Sequence, residues 1–346
     1  MHITEELRVI RAARNGLATL LLLAAEILTI VIAAPPQTAG SFARLDPAFD
    51  ALVPKNAQVE KLAGGFTFIE GPLWRPQGAL WFSDVVGNVV RQWSSDGTVT
   101  EILRPGGYDG NRLPAGGFVG PNGMVADRRG AVLICQHGNR CIARVDKDKR
   151  VTTLVDKFEG KRFNSPNDLV FRSDGSLYFT EPPYGLSKGD EDPAKELPFN
   201  GVFRLANGKV QVLVKDLSRP NGIAFSPDYK TLYVANSDEK RKIWMRYDVV
   251  ADGTVKNGRV FADVTAEKAD GLPDGMKVDA KGNVYGTGPG GVWVFSPDGK
   301  HLGTIQPAET PANCNWGDDG TTLYMTARTG LYRVKLAVAG QKALYH

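Results

Sequence analysis

The sequence predicts an all-β chain: a six-bladed β-propeller closed by an N-terminal strand and preceded by an apolar signal or anchor segment. Three observations carry that prediction. There are 39 Gly and 21 Pro in 346 residues, about 17% of the chain against a usual figure of roughly 12%, and these residues mark the ends of short elements. One phrase recurs six times: a polar residue, an apolar strand start, a turn ending in Gly, then a strand rich in aromatics. Its polar residues are spaced by 52, 45, 54, 53 and 39 positions, the period of propeller blades built from short strands.

In chain order, residues 1–16 carry Arg8, Arg11 and Arg14, and residues 17–34 are nearly all apolar apart from Glu26. Eighteen helical residues reach about 27 Å, close to the hydrocarbon thickness of a bilayer. The basic flank, the apolar run and the small-residue exit at Ala33-Ala34 describe an export signal, or an anchor if it is kept. Export to the periplasm or the cell exterior is therefore expected. Residues 35–56 begin Pro35-Pro36-Gln37-Thr38-Ala39-Gly40-Ser41 and read as a linker, which leaves 57–346 as the propeller domain.

The first unit divides into strands at 71–74, 79–84, 89–93 and 99–103. Asp96-Gly97, Asp174-Gly175, Asn207-Gly208, Asp252-Gly253 and Asp298-Gly299 supply turn residues that tolerate positive φ. The sixth unit has only three strands, at 313–316, 322–326 and 330–335. Residues 57–62 alternate like a strand and have no partner nearby, so they are expected to complete the sixth sheet and close the ring, removing its open edge.

The formal net charge is +4, from 42 Lys+Arg against 38 Asp+Glu, and no basic cluster suggests nucleic-acid binding. Cys135, Cys141 and Cys314 are too few and too irregular for a disulfide framework or a zinc site, and are expected as buried thiols. No G-x-S-x-G or HExxH occurs. The G-x-G-x-x-G match at 286–291 contains Pro289 and runs into a strand, with no helix to cradle a pyrophosphate.

Aligning the residue ten positions before each apolar pair (eleven in the fourth unit) selects Glu70, Asn122, Asn167, Asn221, Asp274 and Asn313. The first strand of each blade lines a propeller's channel, so these form one ring of side-chain oxygens. Oxygen ligands without His or Cys suit Ca²⁺ or Mg²⁺, and two carboxylates would neutralise a buried dication.

The phrases Glu70-Gly71-Pro72, Phe163-Asn164-Ser165-Pro166-Asn167-Asp168, Arg219-Pro220-Asn221-Gly222 and Leu272-Pro273-Asp274-Gly275-Met276 resemble the SMP-30/gluconolactonase/LRE-like family. The similarity runs over about residues 60–335 and looks closest to bacterial gluconolactonases, through Cys135-Gln136-His137-Gly138-Asn139-Arg140 and Glu181-Pro182-Pro183-Tyr184-Gly185. It implies a six-bladed propeller that hydrolyses lactones with a divalent cation, Ca²⁺ first and Mg²⁺, Mn²⁺ or Zn²⁺ as alternatives. It implies metal ligands at Glu70, Asn167, Asn221 and Asp274, with Asp274 also the acid/base and Asn167 also meeting substrate. Glu181 stands where the family pattern has Asp. Asn122, His137, Glu181, Tyr184 and Asn313 are the polar groups expected around the mouth, facing a small lactone. The alternatives are the same site acting on other esters or organophosphates, and a propeller serving only as a binding scaffold.

Overall fold

The computed structural model describes residues 31–32, 37–110 and 117–345; the export or anchor segment expected over 1–34 lies almost wholly outside them. Among the described residues no helix is long and apolar enough to cross a membrane. Six antiparallel sheets form the blades of a β-propeller. Blade one comprises Ile69–Arg75, Ala79–Asp84, Val89–Ser94 and Thr98–Leu103, within a residue or two of the strands expected. Blade two holds Pro121–Ala126, Val132–Gln136, Cys141–Val145 and Val151–Val155; blade three holds Leu169–Phe171, Leu177–Glu181, Gly201–Ala206 and Lys209–Val214. Blade four holds Pro220–Phe225, Thr231–Asp238, Arg241–Val249 and Val255–Asp263; blade five begins Met276–Val278, Val284–Gly288, Gly291–Phe295 and His301–Pro307.

Blade six is built from both ends of the domain. Asn313–Gly317, Thr322–Ala327 and Gly330–Lys335 are completed by Val59–Gly64, with Val59 opposite Val334 and Lys61 opposite Tyr332. The expected closing strand is present, moved two residues along the chain. Ion pairs flank it, Arg333 to Glu60 and Lys61 to Glu309, each at 2.8 Å.

The linker expected over 35–56 is a folded part of the body from residue 37 onward. Gln37–Thr38 pairs with the closing strand, and Gly40–Arg44 adds a fifth strand to blade five, with Phe42 opposite Ile305. A single helical turn follows, Pro47–Asp50, whose N-terminus is capped by the Asp46 carboxylate accepting the Ala48 N–H at 2.8 Å. Phe49, Leu52 and Val53 are buried among Val292, Val294, Leu302 and Ile305. The Pro, Ala, Ser and Thr content suggested a linker, but three apolar side chains anchor the segment.

Apolar clusters fill the seams between blades. Leu73 and Val90 meet Met124, Val132 and Ile134 between blades one and two; Leu133, Cys135 and Ile142 meet Leu177, Phe179 and Phe203 between two and three. Leu80, Phe82 and Trp93 meet Tyr324 and Leu331 where blade six joins blade one. The three cysteines are free and buried. At the chain's end, the Gln341 N–H donates to the Val278 carbonyl at 2.9 Å, and the Tyr345 hydroxyl accepts from the Arg128 Nε at 2.8 Å. The tail thus crosses the end of the propeller where the inner strands finish, from blade five to blade two.

Candidate active site

Every member of the expected ring lies at the start of an inner strand, or two residues before it at Asn167 and Asp274. Successive blades bond to one another at this level. The Ser83 hydroxyl donates to the Asn122 carbonyl at 2.7 Å, the Gly123 N–H to the Asn167 carbonyl at 2.8 Å, and the Ser237 hydroxyl to the Pro273 carbonyl. Thr287 Oγ1 donates to the Ala312 carbonyl at 2.8 Å, and Asn315 Nδ2 to the Pro72 carbonyl at 2.6 Å. The approach is tight. A Cβ at Gly71 would lie 2.1 Å from the Asn122 carbonyl oxygen, and its φ of 51° also favours glycine. A Cβ at Gly275 would fall 2.0 Å from Asn313 Cγ.

Glu70, Asn122, Asn167, Asn221 and Asn313 are buried, while Asp274 is half-buried. The Glu70 carboxylate accepts the Gly71 N–H at 2.7 Å. Burial is the main cause that pushes its pKa up to about 7; the Gly71 N–H and the Asn313 amide oppose the shift, and the Asp168 charge adds to it. The Asp274 carboxyl is raised well above the ordinary carboxylate range, first by desolvation and then by Glu70 and Asp168. Asn221 donates its amide to Asp274 and, at 2.9 Å, to Ser237 Oγ. The Tyr184 hydroxyl packs against Asn221 and Ser237, and burial and then the Asp274 charge push its pKa up.

Three expected contacts take other roles. Glu181 is fully buried, with Oε1 accepting the Ser165 N–H at 2.5 Å and Oε2 accepting Asn164 Nδ2 at 2.8 Å. Both oxygens are occupied, so it braces the 164–167 turn and offers substrate no face. Asn313 Oδ1 accepts the Cys314 N–H at 2.8 Å, and its amide group serves Glu70 and Asp168, so it ties carboxylates together rather than lining the mouth. His137 is buried with both ring nitrogens engaged, Nδ1 2.9 Å from the Phe118 carbonyl and Nε2 3.3 Å from Asn122 Nδ2. That leaves it no free nitrogen for a substrate.

Asp168 was missed. It is buried, its Oδ1 accepts the Leu169 N–H at 2.9 Å, and its Oδ2 has no partner among the described residues. Desolvation raises its pKa against the opposing Lys277 ammonium. It occupies the position after the ring residue, where the other blades have Gly71, Gly123, Gly222, Gly275 and Cys314. The linking hydroxyls were missed too, although Ser83 and Thr287 each stand thirteen residues after their blade's ring residue.

Among the described residues, no three His, Cys, Asp or Glu side chains gather closely enough to hold a metal by themselves, so amide oxygens must complete any such set. The donors present fit a hard dication. Burial raises the proton affinity of Glu70, Asp168 and Asp274; the Asp168 charge adds to it at Glu70, and Glu70 and Asp168 add to it at Asp274. The Lys277 ammonium opposes it at Glu70 and Asp168, and Asp168 Oδ2 is buried without a partner among the described residues.

Residues 68–329 match the SMP-30/Gluconolactonase/LRE-like region. The chain is 39% identical over 316 residues to a gluconolactonase of Zymomonas mobilis, covering 88% of each protein. It is 29% identical over 268 residues to a 6-deoxy-6-sulfogluconolactonase of Pseudomonas putida, covering 75% of this chain and 82% of that one. The solved structure of a gluconolactonase from Xanthomonas campestris superposes with a TM-score of 0.76 at 33% identity, covering 88% of this chain and 98% of the other. A matched region spanning nearly the whole propeller, together with a relative this similar over most of both lengths, means that the chain belongs to the SMP-30/gluconolactonase/LRE-like family.

Proposed function

We propose that the protein is a lactonase, a hydrolase of carboxylic ester bonds, which opens sugar lactones of the gluconolactone type to their hydroxy acids. The observation that carries this reading is the ring itself: Glu70, Asn167, Asn221 and Asp274 at one level of the channel, with a buried carboxylate excess that a dication would neutralise. Those four side chains are the proposed ligands. A divalent cation bound there would polarise a lactone carbonyl and stabilise the charge that develops on its oxygen.

The chain's own groups supply the rest. Asp274, the ring member most open to the mouth, takes a proton from the attacking water. The new C–O bond forms at the carbonyl carbon, the ring C–O bond breaks, and the departing oxygen takes up a proton to become the hydroxyl of the product. Asn313 and the Gly71 N–H hold the Glu70 carboxylate in place. Tyr184, beside Asn221 and Ser237, forms part of the wall that orients the sugar. The amino-terminal basic and apolar segments extend the proposal to export, which sequencing the N-terminus of the secreted protein would test.

The decisive experiment follows acid release from glucono-δ-lactone by the purified protein, stripped of metal and then supplied with Ca²⁺, Mg²⁺, Mn²⁺ or Zn²⁺. Turnover that returns with metal and is lost in Asp274→Asn supports the reading. Metal-independent turnover would remove the cation from it, and no turnover of any sugar lactone would overturn it.

A further inference from the structure

We propose that His137 is a positioning residue that fixes the Asn122 amide so that its carbonyl oxygen faces the substrate as an acceptor for a lactone hydroxyl. The proposal rests on the lactonase reading for its ligand, but its geometry stands apart from it. The Phe118 carbonyl can only accept a hydrogen bond, and it lies 2.9 Å from His137 Nδ1, so Nδ1 carries the proton. A neutral imidazole has one N–H, which leaves only a lone pair on Nε2. The Asn122 atom 3.3 Å from Nε2 must therefore be a donor, the amide nitrogen. Turned the other way, the amide would set its oxygen against that lone pair.

Burial keeps the ring in this state, pushing its pKa down to about 4. The main chain holds it in place, with the His137 N–H donating to the Gly120 carbonyl at 3.1 Å, and the Tyr184 ring lies 6.5 Å away on the mouth wall. What remains is Asn122 Oδ1, on a side chain only 4% exposed and without a partner among the described residues. A buried acceptor left unpaired costs about 1–3 kcal/mol. A hydroxyl of a polyhydroxylated lactone is the donor that would satisfy it.

Two measurements test the assignment. Long-range ¹H–¹⁵N spectra of the wild-type protein at neutral pH should show the Nδ1–H tautomer for His137, identified by the signals lost in His137→Gln. The Nε2–H tautomer would overturn the proposal whether or not the protein is a lactonase. In kinetics, the preference for glucono-δ-lactone over unsubstituted δ-valerolactone, read as a ratio of kcat/KM, should fall roughly 10- to 100-fold in His137→Leu. It should recover in His137→Gln, whose Oε1 can replace Nε2 as acceptor. A ratio unchanged in His137→Leu, or lost equally in His137→Gln, would overturn the proposal. A wild type inactive on both lactones would defeat the proposed function alone, and the tautomer would still decide this one.

Discussion

Asp274 combines two demands, a carboxylate pushed toward protonation by desolvation and then by Glu70 and Asp168, and the partial exposure that lets water reach it. Replacing it with Asn should lower kcat by about 10²- to 10⁴-fold while leaving the unfolding transition in place, measured by lactone turnover and urea titration on the same preparation. Glu70 makes a prediction of its own. Its folded-state pKa of about 7 lies above the ordinary value for a carboxyl group, so between about pH 4.5 and 7 the folded metal-free protein binds more protons than the unfolded chain. Stability therefore falls as pH rises through that window, by an amount on the order of a few kcal/mol. Urea midpoints of metal-stripped protein from pH 5 to 8 should decline, the slope should flatten in Glu70→Gln, and added dication should raise the midpoint most at the alkaline end. The ring was legible in the sequence because one polar residue per blade stands at a fixed distance from an apolar pair. Asp168 was not, because an Asp after Pro-Asn reads as a turn; the contrast with glycine at that position in four other blades was the available signal. Glu181 misled because the Pro-Pro-Tyr-Gly that follows reads as a loop, while the carboxylate itself turns back to Ser165 and Asn164.

Single strands and turns depend on contacts that pattern does not always reveal. Ala79–Asp84 was placed to the residue because aromatic alternation and flanking turns agree there. Gly40–Arg44 was not, since an outer fifth strand is half exposed and has no need of strict alternation. The short turn after it rests on Phe49, which is fully buried. Phe49→Ala should cost about 3–5 kcal/mol, read by urea denaturation. A loss within 0.5 kcal/mol would mean that the segment is the loose connector its composition suggests.

At the level of the molecule, adjacent sheets share apolar seams, and the seam between blades five and six is completed by Phe49, Leu52, Val53 and Val59 from the amino-terminal side. A protein lacking residues 1–36 should keep one cooperative calorimetric transition. One lacking residues 1–64 loses the strand that closes blade six and should show no sharp transition, because an open edge then interrupts the circle. The strand order of the closed ring was readable because the sixth unit was visibly one strand short.

The carboxyl-terminal tail adds an asymmetry between the two ends of the channel. Inner strands begin at the ring and finish where Gln341 meets Val278 and Tyr345 meets Phe171 and Arg128. With the tail laid across that end, the ring end is the expected entrance, which reactant and product would share, so accumulated hydroxy acid should compete directly with incoming lactone. The same layout puts Tyr345 at the end away from the ring, and an enzyme tethered through its carboxyl-terminal side to a bead or an electrode should face the solution with its entrance clear.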